Sequence, residues 1–287
     1  MNVDYAALKK DGFMLQKQKD CFSMRLHTSG GYLSIEQMKT IYGIAERYGK
    51  GYVHLTSRQG VEIPFIKLQD IAAVRKELQE GGMEQGACGP RVRTITACQG
   101  STVCPNGLID TQKLAKKLDE RYYCRDLPHK FKIGITGCCN NCLKTEENDL
   151  GIKGCLIPSW NEQDCIYCGA CAKVCPNQCI VVDKEAKMVT IDRDKCRKCG
   201  KCVRSCPKKA WTGKVGYQLN FGGTFGNHFR KGQQLLPILY SEEQVIRAAD
   251  AALDYFQKNG RPHERLALML ERVGTDGLVE TLQEAVR

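Results

Sequence analysis

The sequence has no apolar run long enough to cross a lipid bilayer, which argues against an integral membrane protein. Its first residues, Met1-Asn-Val-Asp-Tyr5, lack the basic and apolar regions of a secretory signal, so secretion is not expected. A nucleotide-binding glycine fingerprint and RNA- or DNA-binding motifs are also missing. We therefore expect a cytoplasmic protein that has no membrane span, binds no nucleic acid and carries no dinucleotide site.

Cysteine, by contrast, is abundant, with 18 in 287 residues. So many thiols are not expected in a reducing compartment unless metal holds most of them. The hydrophobic content of 42% and the charged content of 26% are those of a globular protein. The length allows two modest domains, or one large domain with an insertion.

A cysteine motif occurs twice between residues 160 and 211. In each copy, two residues separate the first cysteine from the second and the second from the third, three residues separate the third from the fourth, and proline follows the fourth. The first copy is Cys165, Cys168, Cys171 and Cys175, and the second is Cys196, Cys199, Cys202 and Cys206. This is the signature of bacterial ferredoxins with two [4Fe-4S] clusters, in which the fourth cysteine of each run ligates the other cluster. The expected ligand sets are Cys165, Cys168, Cys171 and Cys206 for one cluster, and Cys196, Cys199, Cys202 and Cys175 for the other. Zinc is disfavoured because it has no use for the third cysteine or for the Cys-Pro ending.

Two further cysteine pairs lie before this repeat. Cys98 and Cys104 are separated by five residues, and Cys138 and Cys142 by three. Four thiolates are what a [4Fe-4S] cluster needs, since each iron takes one protein sulfur. Neither gap is the common two-residue gap, so spacing alone leaves a structural or zinc role about as plausible as a cluster.

The residues around these pairs carry a family resemblance. The pattern Cys-x5-Cys followed by Gly-Cys-x-Asn-x-Cys resembles that of the sirohaem sulfite and nitrite reductases. Other segments of the chain also resemble this family and occur in the same order as in the family. These segments are Leu55-Thr-Ser-Arg58-Gln, Arg93, Leu127-Pro-His-Lys130-Phe-Lys132 and Gly222-Gly-Thr-Phe-Gly226. One departure is Cys139, where relatives usually have proline.

The resemblance implies a cofactor and a set of roles. Cys98, Cys104, Cys138 and Cys142 would hold a [4Fe-4S] cluster, and Cys142 would bridge it to the iron of a sirohaem. With the ferredoxin repeat, this makes three [4Fe-4S] clusters. The resemblance assigns the substrate pocket to four cations, namely Arg58, Arg93, Lys130 and Lys132.

Without the resemblance, these four cations also have ordinary structural explanations. A loop arginine such as Arg58 is usually a solvated surface residue. Lys130 and Lys132 alternate along a predicted strand and would share one face, which is costly in a buried strand unless an anion meets them. An exposed edge strand would explain the lysines equally simply. Arg91 could pair with a cofactor carboxylate.

The expected fold class is α+β with three parts. A reductase ferredoxin-like half-domain covers 1–82, a sirohaem and [4Fe-4S] α/β domain covers 83–159 and 212–287, and an inserted 2[4Fe-4S] ferredoxin domain covers 160–211. In the first part we predict the order β-α-β-α. Its elements are a strand at 21–27, a helix from a Ser34 capping box to Tyr48, a strand at 52–56 and a helix at 68–80.

Fewer elements are predicted for the other two parts. They are a helix at 109–121, a strand at 127–135, paired strands beginning at Cys179 and Met188, a helix at 242–258 capped by Ser241, and a helical pair at 263–287. The glycine-rich segment 222–226 could contact a sirohaem carboxylate or be a plain turn. The five histidines have no ligand spacing, and the remaining cysteines receive no role: Cys21, Cys88, Cys124, Cys139, Cys155 and Cys179.

The resemblance implies reduction of sulfite to sulfide, a six-electron reaction, with electrons relayed through the ferredoxin-type clusters. Nitrite reduction in the same pocket is the close alternative, and a non-catalytic electron-transfer subunit is the alternative from another class. Without a nucleotide site, electrons must come from a donor protein or partner subunit. A single half-domain copy predicts a two-fold homodimer or a hetero-oligomer.

The formal charge of +11 also fits this prediction. Bound cofactors belong in the charge count, and three clusters and a sirohaem would add about −6 and about −8. The excess of lysine and arginine then indicates ligands for anionic groups rather than a nucleic-acid surface.

Overall fold

The fold was analysed in a computed structural model that describes residues 3–86 and 88–287. The segment Met1–Tyr5, in which no secretory signal is expected, lies partly outside the described residues. Three separate apolar clusters, in residues 13–83, 92–282 and 171–211, divide the chain into an N-terminal unit, a central unit and a cysteine-rich module. Within the described ranges, no helix is both long and apolar enough to traverse a bilayer.

The N-terminal unit is an antiparallel sheet covered by helices. Its elements in chain order are α1 (Tyr5–Lys10), β1 (Phe13–Leu15), β2 (Cys21–Arg25), α2 (Ile35–Tyr48), β3 (His54–Leu55), β4 (Val61–Lys67) and α3 (Ile71–Glu80). The strand order is β1-β2-β4-β3, with every neighbouring pair antiparallel. The short strand β3 therefore lies at an edge of the sheet.

Local sequence explains the two main helices of this unit. The Ser34 side chain accepts a hydrogen bond from the Gln37 backbone N–H, and the Gln37 side chain accepts one from the Ser34 backbone N–H. The predicted capping box therefore begins α2. In α3 the buried residues Ile71, Val74 and Leu78 recur at helical spacing and pack on the sheet. The helices predicted at 34–48 and 68–80 are confirmed, although a short 3-10 turn occupies 68–70.

The central unit is a mixed sheet covered by helices, and it resumes after the module. Its elements are β5 (Thr96–Ala97), α4 (Thr111–Tyr122), β6 (Ile133–Thr136), β7 (Leu150–Trp160), β10 (Trp211–Phe221), α7 (Glu242–Asn259), α8 (Leu266–Val273) and α9 (Asp276–Val286). The strand order is β10-β7-β6-β5; β5, β6 and β7 are parallel, and β10 is antiparallel to β7.

The module is joined to the central unit by a long two-stranded ribbon. β7 and β10 pair over eleven residues each, from Leu150 opposite Phe221 to Trp160 opposite Trp211. The module then contains α5 (Ala170–Lys173), β8 (Ile180–Asp183), β9 (Met188–Ile191) and α6 (Lys201–Ser205). The predicted pairing of β8 with β9 is confirmed.

Several elements differ from the sequence prediction. The β-α-β-α order for the N-terminal unit omits α1, β1 and β4, and the strand predicted at 52–56 is only two residues long. The strand predicted at 127–135 is formed only over Ile133–Thr136, so Lys130 and Lys132 lie just before β6. The long ribbon was not predicted, because both of its strands carry glycine and lysine that interrupt a simple strand pattern.

Candidate functional site

An open cavity lies between the N-terminal and central units. It encloses about 830 Å³ of empty space, including its mouth. Its lining residues are Arg25, Thr56, Ser57, Arg58, Gly60, Arg93, Thr94, Lys130 and Lys132. All four predicted pocket cations thus meet in one cavity, and none of the residues that line it is acidic. We call this the cationic pocket.

Arg58 lies in the turn between β3 and β4 and reaches across to the central unit. Its guanidinium donates to the Asn148 Oδ1 at 2.7 Å and to the carbonyl oxygens of Thr94 and Ile133 at 3.1 and 3.2 Å. An arginine has five N–H donors, so about two remain for a ligand. Burial lowers the pKa of Arg58 to about 10, which still leaves it protonated at neutral pH. The predicted solvated alternative for this arginine is therefore wrong.

The two lysines approach the pocket from the segment before β6. The Lys132 backbone N–H donates to the buried Asp149 carboxylate at 2.8 Å, which fixes this segment against the start of β7. Burial lowers the pKa of Lys132 to about 8, and repulsion from Arg58 and Arg265 acts in the same direction. Burial also lowers the pKa of Lys130. The lysines are thus held where their charges are costly without an anion.

Arg93 and Arg25 complete the cationic lining. The Arg93 backbone pairs with Phe131, which sets Arg93 beside the two lysines, and burial lowers the pKa of its guanidinium. Arg25 on β2 was not predicted; its Nε donates to Glu62 at 2.8 Å and its Nη1 approaches the Cys88 sulfur at 3.5 Å. The alternation of β2, in which Phe22 and Met24 are buried, could have identified Arg25 as facing away from the core.

Unlike Arg93, Arg91 does not line the cationic pocket. Its Nε donates to the exposed Asp126 at 2.9 Å, and it is not among the residues lining the cationic pocket. The carboxylate partner expected from a cofactor is thus supplied by the chain itself.

Cys98 and Cys138 come together because each follows one of two neighbouring parallel strands. β5 ends at Ala97 and β6 at Thr136, and the strands pair in parallel. The Gly137 backbone N–H then donates to the Cys98 sulfur at 3.1 Å. The carboxyl ends of parallel strands are where such sheets commonly bind ligands.

Cys104 and Cys142 join the same cluster of thiols. Burial raises the pKa of Cys138, and the neighbouring sulfurs of Cys104, Cys142 and Cys98 raise it further. Cys142 is exposed and the other three are buried or half-buried. The arrangement leaves one thiol of the four open to a bound group. We call this set the reductase cysteines.

The cationic pocket and the reductase cysteines are adjacent. Arg58 bonds to Thr94, and Gln59 both donates to and accepts from the Ala97 backbone at 2.9 Å, one residue before Cys98. The same turn therefore contacts the pocket wall and the strand that leads into the reductase cysteines.

In the module, the two motif copies interleave in space. One cavity, of about 320 Å³ with its mouth, is bordered by Cys165, Cys168, Cys171 and Cys206. A second, of about 340 Å³, is bordered by Cys175, Cys196, Cys199 and Cys202, and also by Cys179. Each cavity thus gathers three cysteines of one copy and the fourth of the other, which is the exchange that the sequence predicted. We call these the first and second module cavities.

The donor chemistry of these sites suits iron–sulfur clusters. All twelve predicted ligands are thiols, which iron–sulfur clusters require. Over the described ranges, no three His, Cys, Asp or Glu side chains converge closely enough to hold a single metal ion. A [4Fe-4S] cluster takes one thiolate at each of its four irons, so four thiols around one cavity match its ligand set.

Two of the cysteines without an assigned role contact predicted ligands. Interaction with the Cys199 thiol, together with burial, raises the pKa of Cys139, and the same interaction lowers the pKa of Cys199 to about 5. The Cys179 and Cys175 sulfurs lie 3.2 Å apart. Sequence spacing gave no signal for either contact, because neither Cys139 nor Cys179 belongs to a motif.

The glycine-rich segment after β10 serves packing. The Gly222 and Gly223 backbone N–H groups donate to the Asp149 and Asn148 carbonyl oxygens at 2.9 and 3.0 Å. A Cβ on Gly223 would lie 2.1 Å from the Glu146 carbonyl oxygen, so no larger residue fits there. These contacts account for Gly222 and Gly223 without a ligand.

These features are those of an iron–sulfur redox protein. Cysteines border the two module cavities, and the cationic pocket lies beside a further set of four cysteines. Comparison with known families specifies the class further. The Nitrite/Sulfite reductase ferredoxin-like half domain matches residues 14–81, and the Nitrite and sulphite reductase 4Fe-4S domain matches residues 88–287. The chain therefore belongs to the nitrite and sulphite reductase family, a family of oxidoreductases.

Individual proteins support this membership. The chain is 35% identical over 260 residues to the Coenzyme F420-dependent sulfite reductase of Methanocaldococcus jannaschii, covering 90% of this chain and 41% of that protein. It is 32% identical over 199 residues to a subunit of the anaerobic sulfite reductase of Salmonella typhimurium, covering 63% of this chain and 58% of that protein. The chain thus spans about half the length of these two relatives.

A solved structure has the same fold. The crystal structure of dissimilatory sulfite reductase I (DsrI) superposes with a TM-score of 0.75 at 20% identity, over 92% of this chain and 69% of that one. At this identity the likeness establishes the fold alone.

Proposed function

We propose that the protein reduces sulfite to sulfide with a sirohaem bound between the cationic pocket and the reductase cysteines. The observation that carries the proposal is the meeting of Arg58, Arg93, Lys130 and Lys132 in one cavity that contains no acidic lining residue. Such a pocket is costly to maintain without an anion and binds a small oxyanion well.

Each cation has a distinct part in this proposal. Arg58 and Arg93 remain protonated and donate hydrogen bonds to the substrate oxygens, and their charge neutralises the oxyanion. Lys132, with a pKa of about 8, can donate a proton near neutral pH as oxygen leaves as water, and Lys130 stands beside it. Sirohaem, when bound, supplies the iron that binds the substrate sulfur and delivers the electrons.

The cysteines divide into three proposed ligand sets. Cys98, Cys104, Cys138 and Cys142 would hold a [4Fe-4S] cluster, and the exposed Cys142 would also be available to the iron of a bound sirohaem. The first module cavity holds a second cluster on Cys165, Cys168, Cys171 and Cys206. The second module cavity holds a third on Cys175, Cys196, Cys199 and Cys202. The module, an inserted 2[4Fe-4S] ferredoxin domain at 160–211, receives electrons from a donor protein in the cytoplasm, in a cell that works without oxygen.

Nitrite is a second candidate substrate. The cationic pocket presents charge and N–H donors, which recognise a small oxyanion without reading its central atom. Steady-state kinetics with both anions separates the two, because the physiological substrate is expected to have the higher kcat/KM.

The N-terminal unit offers a surface for a second copy of the chain or a different partner protein. Tyr32, Met38, Tyr42 and Leu55 are large apolar side chains that are 53–73% exposed around α2 and the edge strand β3. A groove of about 820 Å³ runs through this surface. Apolar patches of this kind are typical of interaction sites, and we propose a two-fold homodimer or a hetero-oligomer.

The experiment that tests the proposal is anaerobic purification from a host that makes sirohaem, followed by a visible spectrum, iron analysis and tetrapyrrole extraction. We expect sirohaem and iron for three clusters, together with sulfite reduction by a small artificial electron donor. Iron for two clusters without a tetrapyrrole would overturn the catalytic proposal and favour an electron-transfer role.

A further inference from the structure

The loop that carries Cys142 turns sharply on both sides of that residue. Asn141 and Lys144 have left-handed backbone conformations, with φ of 53° and 49°. Asparagine adopts this conformation more readily than most residues, but lysine has no such preference. The Asn141 Oδ1 accepts hydrogen bonds from the backbone N–H and the hydroxyl of Thr145, each at 2.9 Å. The shape of this loop therefore depends on the bonds that its side chains make.

Glu146 joins the loop to the central sheet. The Asn141 Nδ2 donates to the Glu146 Oε2, and the Lys153 Nζ on β7 donates to the Glu146 Oε1 at 2.9 Å. The Glu146 and Lys153 side chains are only 17% and 15% exposed. Burial acts to raise the pKa of Glu146, but the bonds from Lys153 and Asn141 outweigh it, so the net shift of the pKa is downward. One charged carboxylate thus binds the loop through one oxygen and the sheet through the other.

The position of Lys153 is set by the register of the strands. Lys153 lies opposite Thr136 on β6 and opposite Gln218 on β10. Thr136 is two residues before Cys138, so the pairing that places Cys138 also places Lys153. Through Lys153 and Glu146, the same pairing reaches the loop of Cys142.

These side chains are separate from the cationic pocket. Asn141, Glu146 and Lys153 border an open cavity of about 850 Å³ beside the module, and the two cavities are lined by different residues. A role in contacting the substrate is therefore not expected for them.

We propose that Glu146 and Lys153 are positioning residues that fix the open thiol of Cys142 relative to the other three reductase cysteines. Cys142 is exposed, so its own packing does not hold it in place. Residues behind a metal ligand orient that ligand, and their loss typically costs about 10- to 100-fold in affinity or activity. The inference rests on the proposed function, in which Cys142 is available to the sirohaem iron.

An ion pair with a merely structural role would behave differently. Its loss would destabilise the fold as a whole and would affect all three sets of cysteines. Loss of a positioning pair instead affects the reductase cysteines and leaves the clusters of the module unchanged. The module therefore provides an internal reference within the same chain.

The test uses holoprotein purified anaerobically from a host that makes sirohaem. Glu146→Ala removes both links, Glu146→Gln keeps one acceptor, and Lys153→Met removes the charge from β7. Asn141→Gly leaves the ion pair intact and permits the same backbone conformation, so it removes only the side-chain bonds of the loop. The matched control is Glu147→Ala, because the neighbouring Glu147 makes no side-chain hydrogen bond or ion pair within the described part of the chain.

We measure iron content, sirohaem per chain, the visible spectrum and the electron paramagnetic resonance signals of the reduced module clusters. Glu146→Ala, Lys153→Met and Asn141→Gly should keep the module signals, and sirohaem per chain should fall by about 10-fold. Glu146→Gln should lie between Glu146→Ala and the wild type, and Glu147→Ala should match the wild type. The KM for sulfite of the molecules that retain sirohaem should be unchanged, because the pocket cations are intact.

Three results would overturn the inference. The first is full sirohaem and an unchanged spectrum in both Glu146→Ala and Asn141→Gly, and the second is an equal loss in Glu147→Ala. The third is loss of the module clusters together with the sirohaem in both Glu146→Ala and Asn141→Gly, which would make the network merely structural. If only Glu146→Ala loses its module clusters, Asn141→Gly still tests the loop, since its ion pair is intact. A wild-type protein without sirohaem would instead refute the proposed function.

Discussion

At the scale of single residues, the pocket works through the environments of its cations. Arg58 donates three hydrogen bonds to the chain, and burial brings the pKa of Lys132 to about 8. Both features come from residues distant in sequence: Asn148 accepts a hydrogen bond from Arg58, and repulsion from Arg58 and Arg265 adds to the effect of burial on Lys132. The residue types were recognisable from the sequence, but their electrostatics follow from what surrounds them.

The pKa of Lys132 predicts how substrate binding depends on pH. Below about pH 8 the lysine is charged and attracts the oxyanion, and above it the charge is lost. We expect the Kd for sulfite to rise as the pH increases from 7 to 9. The Lys132→Arg variant should show a weaker rise, because guanidinium stays protonated, and it controls for the titration of sulfite itself. Parallel curves for the two proteins in isothermal titration calorimetry would contradict this assignment.

Replacement of Arg58 should affect the reaction and the pocket together. Arg58→Lys keeps a charge but loses the planar fork that bonds to Asn148, Thr94 and Ile133. We expect kcat/KM for sulfite to fall by about 100-fold, as for loss of one aimed donor. The matched control is Arg91→Lys, since Arg91 pairs with the exposed Asp126, and its kinetics should be close to wild type. Equal losses in the two variants would show that Arg58 has no special role.

At the scale of elements, the central unit depends on a buried ion pair between two of its segments. Arg265, just before α8, donates to Asp149, just before β7, with Nη2 to Oδ2 at 2.7 Å and Nε to Oδ1 at 3.3 Å. Asp149 is fully buried and also accepts from the Lys132 backbone N–H. The pair therefore holds the C-terminal helices and the lysine segment together.

Arg265→Ala should destabilise the fold strongly, because it leaves a buried carboxylate without its partner. A loss of about 3–5 kcal/mol in the free energy of unfolding is expected. The control is Arg121→Ala, whose pair with Asp250 is exposed and should contribute about 0–1 kcal/mol. Urea denaturation followed by circular dichroism measures both, and a loss below about 1 kcal/mol for Arg265→Ala, the value of an exposed pair, would refute the argument.

At the scale of the whole molecule, the chain has one N-terminal unit whose edge strand and apolar surface face outward. Leu55 on β3 is 73% exposed, and Tyr42 on α2 is 65% exposed. An exposed strand edge beside apolar side chains is unfavourable for an isolated protein in water. Oligomerisation is the simplest way in which this surface becomes covered.

The substitution Leu55→Asp should weaken the proposed assembly, because a carboxylate would be buried without a partner. We expect light scattering after size exclusion to give a smaller mass for Leu55→Asp than for the wild type. Val181→Asp is the control, since Val181 is 62% exposed on the module and lies far along the chain from this surface. A monomeric wild-type protein would contradict the proposal of a homodimer.

The sequence by itself determined the chemistry that is local. The spacing of the repeated cysteine motif indicated which cysteines lie together around the two module cavities, and the capping residues indicated α2 and α7, because both depend on neighbours within a few residues. The order of motifs also indicated the family, to which the chain belongs. The assignment of individual ligands and pocket cations remains a prediction.

Only the tertiary structure decided how these pieces meet. Parallel pairing of β5 with β6 brings Cys98 beside Cys138, and the turn that carries Arg58 docks on the central unit. The ribbon of β7 and β10 and the interaction of Cys139 with Cys199 had no signal in the sequence, and the only signal for Arg25 was the alternation of β2. The physical reason is that strand pairing, burial and the pKa of a side chain depend on residues far apart in the chain, which spacing does not reveal.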